Sequence, residues 1–423
     1  MKLVLHIGTE KTGTTAAQTW FHENTDVMRT QGIWYAQSLG LPNNRALSVI
    51  SRHGTAREDG FYHFGIYSPE EHTAFKEKTI RAFEQDVAAA RAAGARIFLI
   101  SSEHLHSRLA YQGMVHRAAQ VVKPHFDQIE VVCFLRPQVD TAMSLASTET
   151  RVGQYTDKRV LKRLSPYNLL FHYVDLIERW SNAFGKKAIT LVPFKRNPST
   201  IGYFKKHLGL DPDLDYTPER RLNESLDYRS VALTNHLVGA ANWGKERSVH
   251  EMARRYYLDA LPCEVPLTMS LSDAQERHAL FEDMNREIVA NWPAITAEDL
   301  TPDWSRYPEV GTIEQLQEAD VSGVLQDVFA RFNGDLALQE ARINLLSSRE
   351  VELQGDLEAA VGFMRAALPP LKHAQMVPSI AEWAAEQEGH YKFRLECILA
   401  EIESRKLLEA EVAAQGQSEN TDG

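Results

Sequence analysis

Three cysteines, Cys133, Cys263 and Cys397, are all that 423 residues contain. Their odd number and wide scatter argue against a disulfide framework or a cysteine-bound metal, and each is expected to be a buried or incidental thiol. Long apolar runs are missing too. None approaches the ~18 residues that a membrane-spanning helix needs, and the opening MKLVLHIGTEKTGTT has too few apolar residues before its glycines for a secretory leader. A cytoplasmic location is the expectation. Basic residues are in deficit, 46 Lys and Arg against 57 Asp and Glu, for a formal charge of −11. A nucleic-acid partner, whose phosphates require a basic face, is therefore not expected, and any anion site has to be local. What is present, 43% apolar and 24% charged residues, suffices for a sizeable core. The length suits about two to three domains of usual size.

Along the first half, short apolar runs alternate with helical patterns. Residues 3–7 read as a strand ending at Gly8, and Thr14 to about Asn24 as a helix. Residues 74–93 place Phe75, Ile80, Phe83 and Val87 on one stripe, with Gly94 to close the helix before a strand at 96–100. A helix over 113–123 precedes a buried-type strand at 130–135, and Pro137 suits the first turn of the next helix. Helix 167–184, strand 188–193 and helix 198–208, closed by Gly209, complete the series. The expectation is an α/β fold: a P-loop-like parallel sheet flanked by helices, with a helical C-terminal extension. Beyond about residue 215 no strong strand pattern remains, and Pro293, Pro302 and Pro308 mark an irregular connection. Long polar helices are expected at 321–333, 336–366 and 379–413. The last carries a loose apolar stripe, not a clean heptad. The reading divides the chain into an α/β core (1–230), its helical continuation (231–312), a helical C-terminal region suited to packing or self-association (313–414), and a disordered tail (415–423).

The segment Gly8-Thr9-Glu10-Lys11-Thr12-Gly13-Thr14-Thr15 lies between a strand and a helix. Its backbone N–H groups and the helix dipole converge on one point, which attracts a phosphate. The glycine spacing fits a Walker A loop, but that motif has lysine directly after the second glycine, where this chain has Thr14. Here the lysine is at position 11, on the loop's crest. Lys-x-Gly-Thr-Thr after the first strand resembles the 5′-phosphosulfate loop of sulfotransferases that use 3′-phosphoadenosine 5′-phosphosulfate (PAPS), in particular bacterial, carbohydrate-type members. The resemblance implies that Lys11 stabilises the leaving phosphate oxygen and that Thr12, Gly13, Thr14 and Thr15 hold the 5′-phosphate.

A second grip follows. The strand at 131–135 ends in Arg136-Pro137, with Ser144 about two helical turns on, so both side chains can face the carboxyl end of the sheet. A planar guanidinium and a hydroxyl placed this way suit a phosphate. The same Arg-x7-Ser pattern is similar to the family's 3′-phosphate site. Phe194-Lys195 followed by a helix running to Gly209-Leu210 resembles a later family stretch that supports fold alone. Arg220-Arg221-Leu222-Asn223-Glu224-Ser225 falls where the family closes a basic loop, but the Arg-Lys-Gly form is absent and no residue is assigned there. The resemblance covers roughly residues 1–230.

Loose in-line transfer needs positioning, stabilisation of leaving-group charge and a base for the acceptor proton. The strand at 97–100 ends in Ser101-Ser102-Glu103-His104-Leu105-His106, at the sheet edge where ligands bind in open α/β folds. Glu103 is the candidate base; His106 and His104, read as strand-end neighbours, are the alternatives, and a capping cluster is the structural one. No apolar strand ends in the aspartate of a magnesium-binding Walker B element, so metal-free chemistry is expected. The expected activity is sulfuryl transfer from PAPS to a hydroxyl, with a saccharide or glycolipid as acceptor. A P-loop kinase or NTPase, or a helical scaffold on a degenerate nucleotide fold, are the competing readings. Trp243, Trp292 and Trp304 are candidate sugar platforms or core residues.

Overall fold

A computed structural model describes residues 1–56, 58–151, 154–219, 225–241, 258, 262–378 and 380–419. Five parallel strands form one sheet: β1 (Lys2–His6), β2 (Ile33–Tyr35), β3 (Ile97–Ser101), β4 (Gln128–Leu135) and β5 (Ile189–Pro193), in the order β2-β3-β1-β4-β5. β3 is buried along its whole length and β1 from Leu3 onward. Such near-continuous apolar runs are what a parallel sheet covered on both faces requires. One face packs Ala17, Trp20 and Phe21 of helix Thr14–Glu23 and Phe204 of helix Thr200–Leu208 against Val4, Leu99 and Phe134.

The pairing places three strand ends together. His6 stands opposite Ser101 on one side and Val132 on the other, so the segments leaving β1, β3 and β4 emerge side by side at the carboxyl edge. β2 was not expected. It is three residues long, too short to show a period, and is anchored from outside: Trp34 Nε1 donates to Asp86 at 2.7 Å, as does the backbone of Gln37 just beyond it. Pro137 lies one residue ahead of helix Gln138–Arg151 rather than inside its first turn, and its carbonyl accepts from Thr141 N–H at 3.1 Å. His104 and His106, read as strand-end neighbours, instead sit in a short helix, His104–Arg108.

The chain divides into two compact units: residues 1–244 with 263–319, and 245–262 with 320–423. Among the described residues of the first unit, only helices and a single isolated bridge, Asp227 with Pro266, follow β5. The second unit contains helices Ser322–Leu353, Leu357–Ala374 and Ala381–Glu419. The expected break near residue 334 is absent, because Gly334 serves packing. A Cβ there would lie 2.8 Å from Val377 and 2.9 Å from Ile380. The break comes at Gly355, where φ is +88°, and Asp356 caps the next helix by accepting from Ala359 N–H. The last helix runs through 415–419, where disorder was expected. Among the described residues no helix is long and apolar enough to cross a membrane.

Candidate active site

The loop from β1 into helix Thr14–Glu23 owes its shape to three residues in the left-handed region: Gly8 (φ +63°), Lys11 (φ +68°) and Gly13 (φ +77°). Gly8 passes so close to Glu103 that an added Cβ would touch its Cα and Cβ at 3.4 Å. For lysine a positive φ is costly and persists only when neighbours hold it. Here Arg136 Nη1 donates to the Lys11 carbonyl at 2.8 Å, and Lys11 Nζ donates to Thr148 Oγ1 at 2.8 Å. Three hydroxyls in series fix the rest. Thr9 Oγ1 donates to the Phe134 carbonyl of β4 at 2.9 Å, Thr12 Oγ1 to the Thr9 carbonyl at 2.8 Å, and Thr200 Oγ1 to the Thr12 carbonyl.

The loop opens into a cavity of about 1000 Å³ lined by Lys11, Gly13, Thr14, Thr15, Glu103, Arg136, Ser144 and Thr148, among others. Seven of the nine residues singled out from sequence thus reach one wall. Thr12 and His106 do not line it: the Thr12 hydroxyl is spent on Thr9, leaving only its backbone to a ligand, and His106 is packed behind the loop. The helix N-terminus is prepared for an anion. Gly13 offers no capping side chain and the first turn has no acidic residue. Among the described residues the buried Thr14 hydroxyl has no hydrogen-bond partner.

Electrostatics follow from burial and crowding of like charge. Burial, with Arg151 and Arg136 nearby, lowers the Lys11 ammonium to about 8. Among the described residues neither Lys11 nor Arg136 has an ion-pair partner within 4.0 Å, so their charge is available to a ligand. Across the loop, burial raises the Glu103 carboxyl, against which Gln18 Nε2 donates at 2.6 Å. Glu103 occupies the N-cap position of its short helix, yet its side chain makes no capping bond. His104 lines the cavity with Nε2 3.8 Å from Glu103 Oε1, and burial, then Arg45 and Arg108, push it down to about 3. His106 accepts from Glu10 N–H through Nδ1 at 3.4 Å, and burial also holds it at about 3.

Four contributors escaped the sequence reading. Thr148 and Arg151 follow Ser144 at helical spacing, i+4 and i+7, a signal that was present. Gln18 and Thr200 act through contacts 85 and 188 residues away in sequence, which no local pattern reveals. The cavity is also lined by Asp59, Ser107 and Arg108 and by Asn168 to Leu170. Ser225 also lines it, whereas 220–224 and Trp243 lie outside the described residues. Trp292 packs beside Lys186 at 5.1 Å and Trp304 against His278 at 5.4 Å; neither lines the cavity. Among the described residues, no group of three or more His, Cys, Asp or Glu side chains is placed to hold a metal.

No protein-family model and no curated protein matches the chain. A solved structure that does match is the crystal structure of a sulfotransferase from Alicyclobacillus acidocaldarius, 15% identical. The match covers 59% of this chain and 98% of that one, with a TM-score of 0.32.

Proposed function

We propose that the first unit binds PAPS and transfers its sulfuryl group to an acceptor hydroxyl. The observation that carries this reading is the grouping around one cavity of two cations without carboxylate partners among the described residues, an uncapped helix N-terminus and a buried carboxylate. In this reading the N–H groups of Gly13, Thr14 and Thr15, with the unpartnered Thr14 hydroxyl, hold the 5′-phosphate. Arg136 and Ser144 hold the 3′-phosphate. Lys11 neutralises charge on the leaving phosphate oxygen, and Thr148 aims its ammonium. Glu103 accepts the acceptor's proton, and Gln18 orients its carboxylate. Bound PAPS supplies the sulfuryl group itself, so the protein has to position, neutralise and deprotonate.

The acceptor is proposed to be a saccharide or glycolipid, made in a bacterial cytoplasm. The polar side chains of Asp59, Ser107, Arg108 and Asn168, which also line the cavity, suit a hydroxyl-rich molecule. Two measurements test the whole. Adenosine 3′,5′-bisphosphate should bind far more tightly than AMP or ATP by calorimetry, and labelled PAPS should pass its sulfur to a member of a panel of glycans, lipids and phenols. Equal affinity for AMP and the bisphosphate, with no transfer to any acceptor, would sink the proposal.

A further inference from the structure

Helix Ser322–Leu353 carries two apolar faces, and one of them is packed against the other described helices of its own unit. Gly334, Ala337, Ala341 and Ser348 are buried against the neighbouring helices, with Ser348 Oγ donating to the Ala360 carbonyl at 3.0 Å. Away from that side stand Phe329 (61% exposed), Leu336 (52%), Ile343 (63%), Leu346 (54%) and Leu353 (89%). These positions fall on a single heptad register, 329, 336 and 343 as a and 346 and 353 as d, over about 36 Å of helix. An isolated exposed leucine needs no explanation, but a row of apolar side chains at period 3.5, interrupted at Gln339 and Glu350, is the pattern of a helix that pairs with another helix.

We propose that this seam is a self-association surface, occupied by the same helix of a second copy running antiparallel. The flanking charges favour the antiparallel over the parallel direction. In the antiparallel arrangement Leu336 meets Leu346 of the second copy, Phe329 meets Leu353, and Asp335 stands opposite Arg349. The two-fold axis makes each of these pairs twice, as an isologous interface requires. Glu340 and Arg342 each meet their own counterpart once, at the axis, two like-charge contacts that offset the gain from the two Asp335–Arg349 pairs. A parallel pair would instead set Asp335 against Glu340 twice, with no opposite-charge pair in return. Gln339 and Glu350 also occupy seam positions; such polar residues weaken a coiled coil while fixing its register.

Analytical ultracentrifugation of the full chain over a range of concentrations tests the proposal. A reversible monomer–dimer equilibrium is expected. Ile343→Glu, which buries an unpaired charge at the seam, should weaken association by more than about tenfold. Its circular dichroism should stay unchanged, because Ile343 is exposed in the single chain. Asp335→Arg should weaken the dimer, and Asp335→Arg with Arg349→Asp should restore it, a rescue given only by a self-pair in this direction. A wild-type chain that stays monomeric, a dimer indifferent to Ile343→Glu, or a double swap no better than the single one overturns the proposal. If the chain is monomeric and Ile343 resists hydrogen exchange, the seam is covered by another part of the same molecule.

Discussion

Truncating Arg136 to alanine takes away two things that one ligand comparison can separate. Its guanidinium donates to the Lys11 carbonyl at 2.8 Å, helping hold a lysine at positive φ, and in the proposed function it also grips the 3′-phosphate. A hydrogen bond to a charged group contributes about 1.5–3 kcal/mol, and about 1.4 kcal/mol is tenfold in affinity. Arg136→Ala should therefore weaken adenosine 3′,5′-bisphosphate by roughly 10- to 150-fold. AMP lacks the 3′-phosphate, so it senses only the loop; its affinity should stay within about threefold if the loop keeps its shape through the Thr9, Thr12 and Thr200 hydroxyls. Calorimetry with both ligands on both proteins forms a cycle whose coupling term belongs to the phosphate–guanidinium contact. Arg136→Lys should recover part of the loss, because it keeps the charge but not the planar fork. If Arg136→Ala binds the bisphosphate as tightly as the wild type, the second half-site is wrong. If it weakens AMP just as much, Arg136 acts only by shaping the loop.

Glu103→Gln should leave bisphosphate affinity nearly intact while turnover falls by roughly 10²–10⁴, and the acidic limb of the pH–rate profile should vanish; retained activity in this variant, with loss in His104→Ala, would move the base to the histidine. For Lys11, whose ammonium burial lowers to about 8, the protonated form is the useful one, so kcat/KM should fall as pH rises past about 8. Lys11→Ala should depress turnover more than bisphosphate affinity, because charge on the leaving oxygen is greatest in the transition state. Thr9→Val leaves the buried Phe134 carbonyl without its side-chain donor, which should cost about 1–3 kcal/mol in chemical denaturation and loosen ligand binding with it.

The parts of the site that were legible from sequence are those fixed within a few residues of a strand end. Gly8, Lys11 and Gly13 announce a loop with unusual φ angles, and Arg136 and Glu103 stand directly after β4 and β3, the two neighbours of β1 in the sheet. Alternating strands and helices therefore sufficed to bring them to one edge. What could not be read depends on tertiary contact. β2 is too short for a period, and its Trp34 and the backbone of Gln37 just beyond it are anchored by Asp86 from a helix some fifty residues later. Gly334 carries the chemistry of a helix breaker, but its missing Cβ is needed where Val377 and Ile380 press in. Gln18 shows only as a polar residue in an amphipathic helix until the fold sets it against Glu103.

The same distinction separates the three candidates for the base. In sequence Glu103, the candidate, and His104 and His106, the alternatives, share one segment at one strand end. Burial acts on them in opposite senses, because it always disfavours the charged form. It raises the Glu103 carboxyl above the ordinary carboxylate value and drives both imidazoles down to about 3. A general base works best when its pKa lies near the operating pH, so one environment improves the carboxylate and impairs the histidines. His106 is further handicapped by lying behind the loop, with Nδ1 engaged by Glu10. Gln18 bears on the remaining risk, a carboxyl raised so far that it stays protonated: its N–H donates to the ionised form and pulls the pKa back down. His106 is likewise buried and likewise accepts a hydrogen bond, but burial lowers its basicity; of the three residues Glu103 is the one whose basicity burial raises while a donor favours its ionised form.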